Sequence, residues 1–160
     1  MDKPQVTVEG KIPRSFGFNR IKLTAAATYF AMRSSKRVGC PFRSVTVILQ
    51  DDVFSDEVHR GIMNIDGATD VITQRYDPMP GEPDGIYGEI YVNCSQALRI
   101  VPKRRGWSHD KELLLYIAHG MDHLTGADDM TPEEYTRMRR RELGWISDWL
   151  TISPSQPLSN

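Results

Sequence analysis

The stretch HGMDHLTGADD, residues 119–129, decides how the second half of this chain is organised. His119 and His123 are four residues apart, so on a helix their imidazoles lie on one face, one turn apart. Gly126 follows where a helix needs a residue in the left-handed conformation to end. The chain can then turn back and offer an acidic ligand. Two histidines on a helix, a glycine turn and a ligand from the returning loop are typical of a hydrolytic metal site.

The third ligand of such a site is expected from Asp128 or Asp129, the acidic pair that follows the glycine turn. Two histidines at this spacing also arise by chance, so the alternative is an ordinary histidine pair in the core or at the surface. The glycine and the acidic pair favour the metal site, because an ordinary pair needs neither.

The residues before the pair predict an amphipathic helix that begins after Ser108, a typical N-cap. Its apolar positions follow helical spacing and should face the core: Leu114, Ile117, Met121 and Leu124. The histidines then lie on another stripe, together with Glu112 and Tyr116. We expect that stripe to border a cleft.

The rest of the chain predicts strands first and helices mostly last. Apolar or alternating runs predict strands at residues 6–9, 45–49, 71–76 and 88–93. Capping residues and apolar spacing predict helices at residues 20–35 after Asn19, from Ser55 onward, and at residues 95–101.

A final helix is predicted after Thr131-Pro132-Glu133-Glu134, a capping box with proline at the first helical position. It should end at Gly144, with Trp145, Ile146 and Trp149 folding back onto the core. The pattern indicates an α+β fold: one domain, residues 1–152, with a mixed sheet of roughly four strands, then a polar tail at 153–160.

The composition is that of an ordinary globular protein, with 160 residues, 39% hydrophobic and 26% charged. No apolar run is long enough to cross a membrane and no secretory signal is visible, so neither insertion nor export is expected. Cys40 and Cys94 are too few for a disulfide framework. They are expected as buried thiols in a reducing cytoplasm.

Residues 119–129 resemble the signature HGxxHLxGxDH of the YbeY family, bacterial endoribonucleases of ribosomal RNA maturation. The matching residues are His119, Gly120, His123, Leu124, Gly126 and Asp128. Residues 66–72, DGATDVI, are similar to the family's D-x-P-T-D-V-L, and residues 88–92, GEIYV, to its G-D-I strand. The three blocks keep the family's order across about residues 45–144.

Three departures from the family pattern stand out. Asp129 replaces the last histidine of the signature, Ala68 replaces a proline, and Met63-Asn64 stand where the family tends to carry Arg-Gly. The resemblance implies that His119, His123 and Asp129 are the three metal ligands, leaving an open position. The expected ion is Zn²⁺, which lowers the pKa of its water. A carboxylate ligand can shift the preference toward Mn²⁺ or Fe²⁺.

Asp128 and Asp122 are the candidate catalytic residues, as a base or as hydrogen-bond partners of a ligand histidine. Asp128 is favoured because it matches the family's aspartate. Gly120 stands where metalloproteases place a glutamate base, which argues against peptide cleavage.

The charge of the chain is unevenly distributed although its net value is −1. Residues 1–50 carry nine Lys and Arg against two Asp and Glu, whereas residues 51–100 carry three against ten. The basic side chains of residues 1–50 can form a surface that binds phosphates. Alternatively, they simply keep the exposed side of the first helix in contact with water. The candidate RNA contacts are Lys103, Arg104 and Arg105.

The function implied by the resemblance is a metal-dependent endoribonuclease of rRNA maturation and ribosome biogenesis. Its partner would be ribosomal RNA or a ribosomal subunit. Two alternatives stay open: an RNA- or ribosome-binding factor without full metal-site chemistry, or a metal-dependent hydrolase of another substrate. The departures at Asp129 and Met63-Asn64 favour the first of these alternatives.

Overall fold

A computed structural model describes residues 3–52, 70–101 and 106–153. Their elements are β1 (Gln5–Glu9), α1 (Arg20–Val38), β2 (Phe42–Gln50), β3 (Val71–Tyr76), β4 (Ile86–Asn93), α2 (Cys94–Ile100), α3 (His109–Leu124) and α4 (Pro132–Ile152). The sheet order is β1-β2-β4-β3, with β1, β2 and β4 parallel and β3 antiparallel to β4. The predicted α+β class with one mixed four-stranded sheet is therefore confirmed.

Local capping chemistry sets the helix starts where the sequence predicts them. The Asn19 side chain accepts the amide hydrogen of Lys22, and the Ser108 side chain accepts that of Lys111. At α4, Thr131 forms the full capping box, with proline in the first turn. Each cap satisfies a backbone N–H that has no partner within the helix.

The predicted end of the last helix is wrong. Gly144 lies inside α4, which continues to Ile152. The three residues beyond it, Trp145, Ile146 and Trp149, are buried while helical. Burial of such large apolar side chains contributes more than the roughly 1 kcal/mol that a helical glycine costs.

Helix α3 is the most enclosed helix of the described fold. The predicted core positions Leu114, Ile117, Met121 and Leu124 are all buried, which confirms that face. Glu112 and Tyr116 are buried as well, so the expectation that they border the cleft is wrong. Trp107 covers this turn and donates its indole N–H to the Glu112 carboxylate at 2.8 Å. The open stripe therefore begins only at His119.

Several sequence predictions concern residues outside the described ranges. They are the helix from Ser55, the block at 66–69, the departures at Met63-Asn64 and Ala68, the contacts Lys103, Arg104 and Arg105, and the tail at 154–160. Both cysteines are free thiols; Cys94 is buried, as expected, and Cys40 is half-buried. No helix of the described residues combines the length and apolarity needed to cross a bilayer.

Gly120 lets α3 approach β4 closely. A Cβ at this position would lie 2.5 Å from Cγ2 of Ile90, a fully buried strand residue. Gly120→Ala should therefore lower the free energy of unfolding by about 1–3 kcal/mol, because the added methyl overpacks the core. Urea denaturation measures this change.

The matched control is Gly144→Ala in α4, where a Cβ would meet nothing within 4 Å. That variant should gain up to about 1 kcal/mol from helix propensity alone. If both substitutions change the free energy of unfolding in the same direction, close packing at Gly120 does not explain the change in the Gly120→Ala variant.

Candidate metal centre

The end of α3 places two imidazoles side by side. His119 and His123 occupy the last two turns of the helix, and their Nε2 atoms lie 3.0 Å apart. After Leu124 the chain turns at Gly126, whose φ of 95° is left-handed and whose N–H donates to the His123 carbonyl at 2.9 Å. The predicted glycine turn is thus present and reverses the chain toward the histidines.

The returning loop brings Asp129 to the pair. Its Oδ2 lies 3.4 Å from Nε2 of His119 and 3.5 Å from Nε2 of His123. Within the described ranges, these three residues form the cluster that could hold a metal ion. The structure thus brings together the three residues that the sequence nominated as ligands.

Both imidazoles are oriented through their other nitrogen. His123 Nδ1 donates to the carbonyl of Ala127 at 2.9 Å, and since a carbonyl only accepts, this nitrogen carries a proton. His119 Nδ1 lies 2.9 Å from Oε2 of Glu142, a fully buried residue of α4. When Glu142 is ionised and His119 is neutral, the proton of His119 lies on Nδ1, and both Nε2 lone pairs then point into the cluster. Such partners are typical of metal-ligating histidines.

The donor set fits a divalent ion. Two nitrogen lone pairs and one carboxylate oxygen converge within 3.5 Å, which requires a positive charge between them. Ligand atoms about 2.1 Å from a tetrahedral ion lie roughly 3.4 Å from one another, close to these separations. Nitrogen and carboxylate ligands suit Zn²⁺ and also Mn²⁺ or Fe²⁺.

The field at the cluster favours positive charge. Burial lowers the pKa of His119, but the hydrogen bond and charge of Glu142, with the charges of Asp129 and Asp70, outweigh it and raise the pKa. Burial raises the pKa of Glu142 to about 7, against the hydrogen bond and charge of His119. The carboxyl group of nearby Asp122 adds to that rise in the pKa of Glu142. The acidic groups around the cluster would thus stabilise a cation at its centre.

The two candidate catalytic aspartates lie in contrasting surroundings. Asp128 is exposed, and its Oδ1 accepts the backbone N–H of Asp129 at 2.8 Å, which shapes the loop beside the cluster. Asp122 is fully buried between α1 and α4 and is bound by Arg37 and Arg141. Asp128 therefore meets solvent at the cluster, and Asp122 does not.

Sequence reasoning missed Glu142, the orienting partner of His119. A signal was present, because α4 buries Met138, Trp145 and Trp149 at helical spacing and Glu142 lies on that stripe. A carboxylate within an apolar stripe requires a buried partner. Which partner it meets depends on how α4 packs against α3.

The sequence of this chain is similar to those of known proteins. A family model described as Endoribonuclease YbeY matches residues 18–149. Endoribonuclease YbeY of Arthrobacter sp. (strain FB24) is 35% identical over 104 residues, which cover 61% of this chain and 66% of that protein. Endoribonuclease YbeY of Rhodopirellula baltica is 34% identical over 123 residues, covering 76% and 60%. This chain therefore matches less than two thirds of the length of either relative.

A solved structure shares the fold. The solution structure of TM1509 from Thermotoga maritima has a TM-score of 0.62 and covers 96% of this chain and 94% of its own. The sequence identity is 23%, so this likeness concerns the fold alone.

Proposed function

Because the chain belongs to the YbeY family, we propose that it is a metal-dependent endoribonuclease that acts in rRNA maturation and ribosome biogenesis. The observation that carries the proposal is the convergence of His119, His123 and Asp129, with both imidazoles oriented by separate partners. The substrate is RNA, and a ribosomal subunit is the proposed place of action. The free thiols suit a reducing cytoplasm.

His119, His123 and Asp129 are the proposed ligands, and Zn²⁺ is the proposed ion. When bound, the ion supplies Lewis-acid polarisation of a phosphate oxygen and lowers the pKa of water. Mn²⁺ and Fe²⁺ are accommodated by the carboxylate ligand. Glu142 and the Ala127 carbonyl hold the imidazoles in place, so the ligands need little rearrangement.

Asp128 is the proposed proton acceptor, because its carboxylate is exposed beside the cluster and next in sequence to a ligand. Asp122 is enclosed and bound by two arginines, so we assign it a structural role. Gly120 leaves the position of a metalloprotease base without a carboxylate and packs against Ile90. These features favour phosphodiester over peptide cleavage.

Metal removal tests the proposal. Dialysis of the purified protein against a chelator should abolish cleavage of a structured rRNA transcript, because the cluster then lacks its Lewis acid. Added Zn²⁺ or Mn²⁺ should restore cleavage as about one ion per chain binds. Gel analysis of the transcript and mass spectrometry of bound metal give the two readouts.

Two outcomes would contradict the proposal in different ways. Full cleavage by metal-free protein would show that the cluster is not the catalytic centre. If the metal-loaded protein binds RNA without cleaving it, the nuclease activity is contradicted and the alternative of an RNA-binding factor is supported.

A further inference from the structure

A basic groove lies between α1 and α4, outside the metal cluster. Its lining residues are Arg33, Lys36, Arg37, Arg141 and Trp145. We call this set the α1–α4 groove. Trp145 is largely buried and forms the floor, whereas Lys36 and Arg37 are exposed at the rim. The groove therefore presents mainly cationic groups to solvent.

The positive charge of the groove is only partly neutralised. Arg33 pairs with the exposed Asp148 at 2.8 Å, while Arg37 and Arg141 share the single carboxylate of Asp122. Lys36 has no ion-pair partner among the described residues. Among the residues that the structure describes, four cations thus face two carboxylates, which leaves two positive charges in the groove.

Asp122 orients the two arginines without using all their donors. Arg37 binds Asp122 at 3.1 Å and the Thr125 hydroxyl at 2.7 Å through one terminal nitrogen, and Arg141 binds Asp122 through its Nε at 3.0 Å. Their side chains keep 32% and 25% exposure, so the other guanidinium donors are accessible to an anion. Guanidinium groups already fixed in this way lose little entropy on binding phosphate.

The groove and the metal cluster share supporting segments. Thr125, whose hydroxyl accepts from Arg37, begins the loop that carries Asp129. Arg141 is followed in α4 by Glu142, which contacts His119. The groove is therefore linked to the cluster through α4 and through the loop that follows α3.

We propose that the α1–α4 groove binds the phosphate backbone of the RNA substrate beside the metal centre. The inference rests on the proposed function and deepens it by naming a contact surface for the same substrate. The contact is mainly electrostatic, because the groove presents cationic side chains to solvent while its aromatic floor is buried and cannot stack on bases.

The test measures RNA affinity by fluorescence anisotropy across a series of salt concentrations. Lys36→Glu should weaken binding about tenfold and reduce the salt slope by about 1, because a phosphate contact is replaced by repulsion. Asp148→Asn should tighten binding about threefold by freeing Arg33. Both positions are exposed, so the variants should unfold at the wild-type temperature.

The matched control is Lys11→Glu. Lys11 is exposed and follows Gly10, whose carbonyl accepts a hydrogen bond from Arg20 at the start of α1, about 24 Å along the helix axis from Lys36. The substitution makes the same charge change as Lys36→Glu, but farther from the groove than a Debye length at physiological salt, so RNA affinity should stay within about twofold of wild type.

The outcomes separate this inference from the proposed function. Equal RNA affinities of Lys36→Glu and Lys11→Glu would overturn the proposed role of the groove, even if the wild-type protein cleaves RNA. Displacement of RNA by poly-glutamate of equal charge would overturn it in favour of an acidic protein partner. A third outcome is that the wild-type protein cleaves no RNA and that only Lys36→Glu, not the control variant, loses RNA binding. This outcome would support RNA binding by the groove and contradict the proposed nuclease activity.

Discussion

His119→Ala should leave the protein folded, remove its metal and lower RNA cleavage by at least about a hundredfold. The variant deletes one of three converging ligand atoms and also the partner of buried Glu142. Losing even an orienting partner of a ligand typically costs 10- to 100-fold, so losing the ligand should cost more. Mass spectrometry of bound metal and single-turnover cleavage measure the two effects.

The matched control is His109→Ala at the start of the same helix. His109 meets Phe16 edge-on, with ring centroids 6.4 Å apart, and lies outside the cluster. It should keep wild-type metal content and cleavage. Metal retention by His119→Ala, with affinity unchanged, would show that the ion binds elsewhere.

Asp122→Ala should lower the free energy of unfolding by about 3 kcal/mol. The Asp122 side chain has no exposed surface and joins α3 to α1 and α4 through Arg37 and Arg141. Breaking a buried ion pair costs about 3–5 kcal/mol, and the lower end applies because the two arginines keep access to water. Urea denaturation followed by circular dichroism gives the value.

Asp148→Ala provides the comparison, since it removes the carboxylate of the exposed Arg33–Asp148 pair. Solvent screens this pair, so the loss should be about 0–1 kcal/mol. Equal losses for the two aspartates would mean that burial of Asp122 contributes little to its effect.

The parts of the fold and site that lie close together in sequence were predictable. Helix caps, the histidine spacing and the glycine turn act over a few residues, and the structure shows each of them. The same reasoning reaches the acidic pair Asp128-Asp129 after the turn, and the resemblance to the family signature selects Asp129 from that pair.

The remaining parts depend on tertiary packing. Glu142 reaches His119 from 23 residues away, and Arg37 reaches Asp122 from 85 residues away. No local pattern encodes such distances. Gly144 is a local signal for the end of a helix, yet α4 continues through it. Burial of Trp145 and Trp149 in the continued helix stabilises the fold by more than the helical glycine costs.

The two histidines and Asp129 belong to parts of the molecule that differ in the free energy needed to open them locally. His119 and His123 extend from a helix enclosed by the core, whose amides exchange with solvent only when much of the domain unfolds. Asp129 extends from a solvent-facing loop that can open without disturbing that helix. An ion held by these three residues would therefore be released through loss of the carboxylate first, and the loop would set its residence time. The two imidazoles would remain in place as a half-site for the next ion.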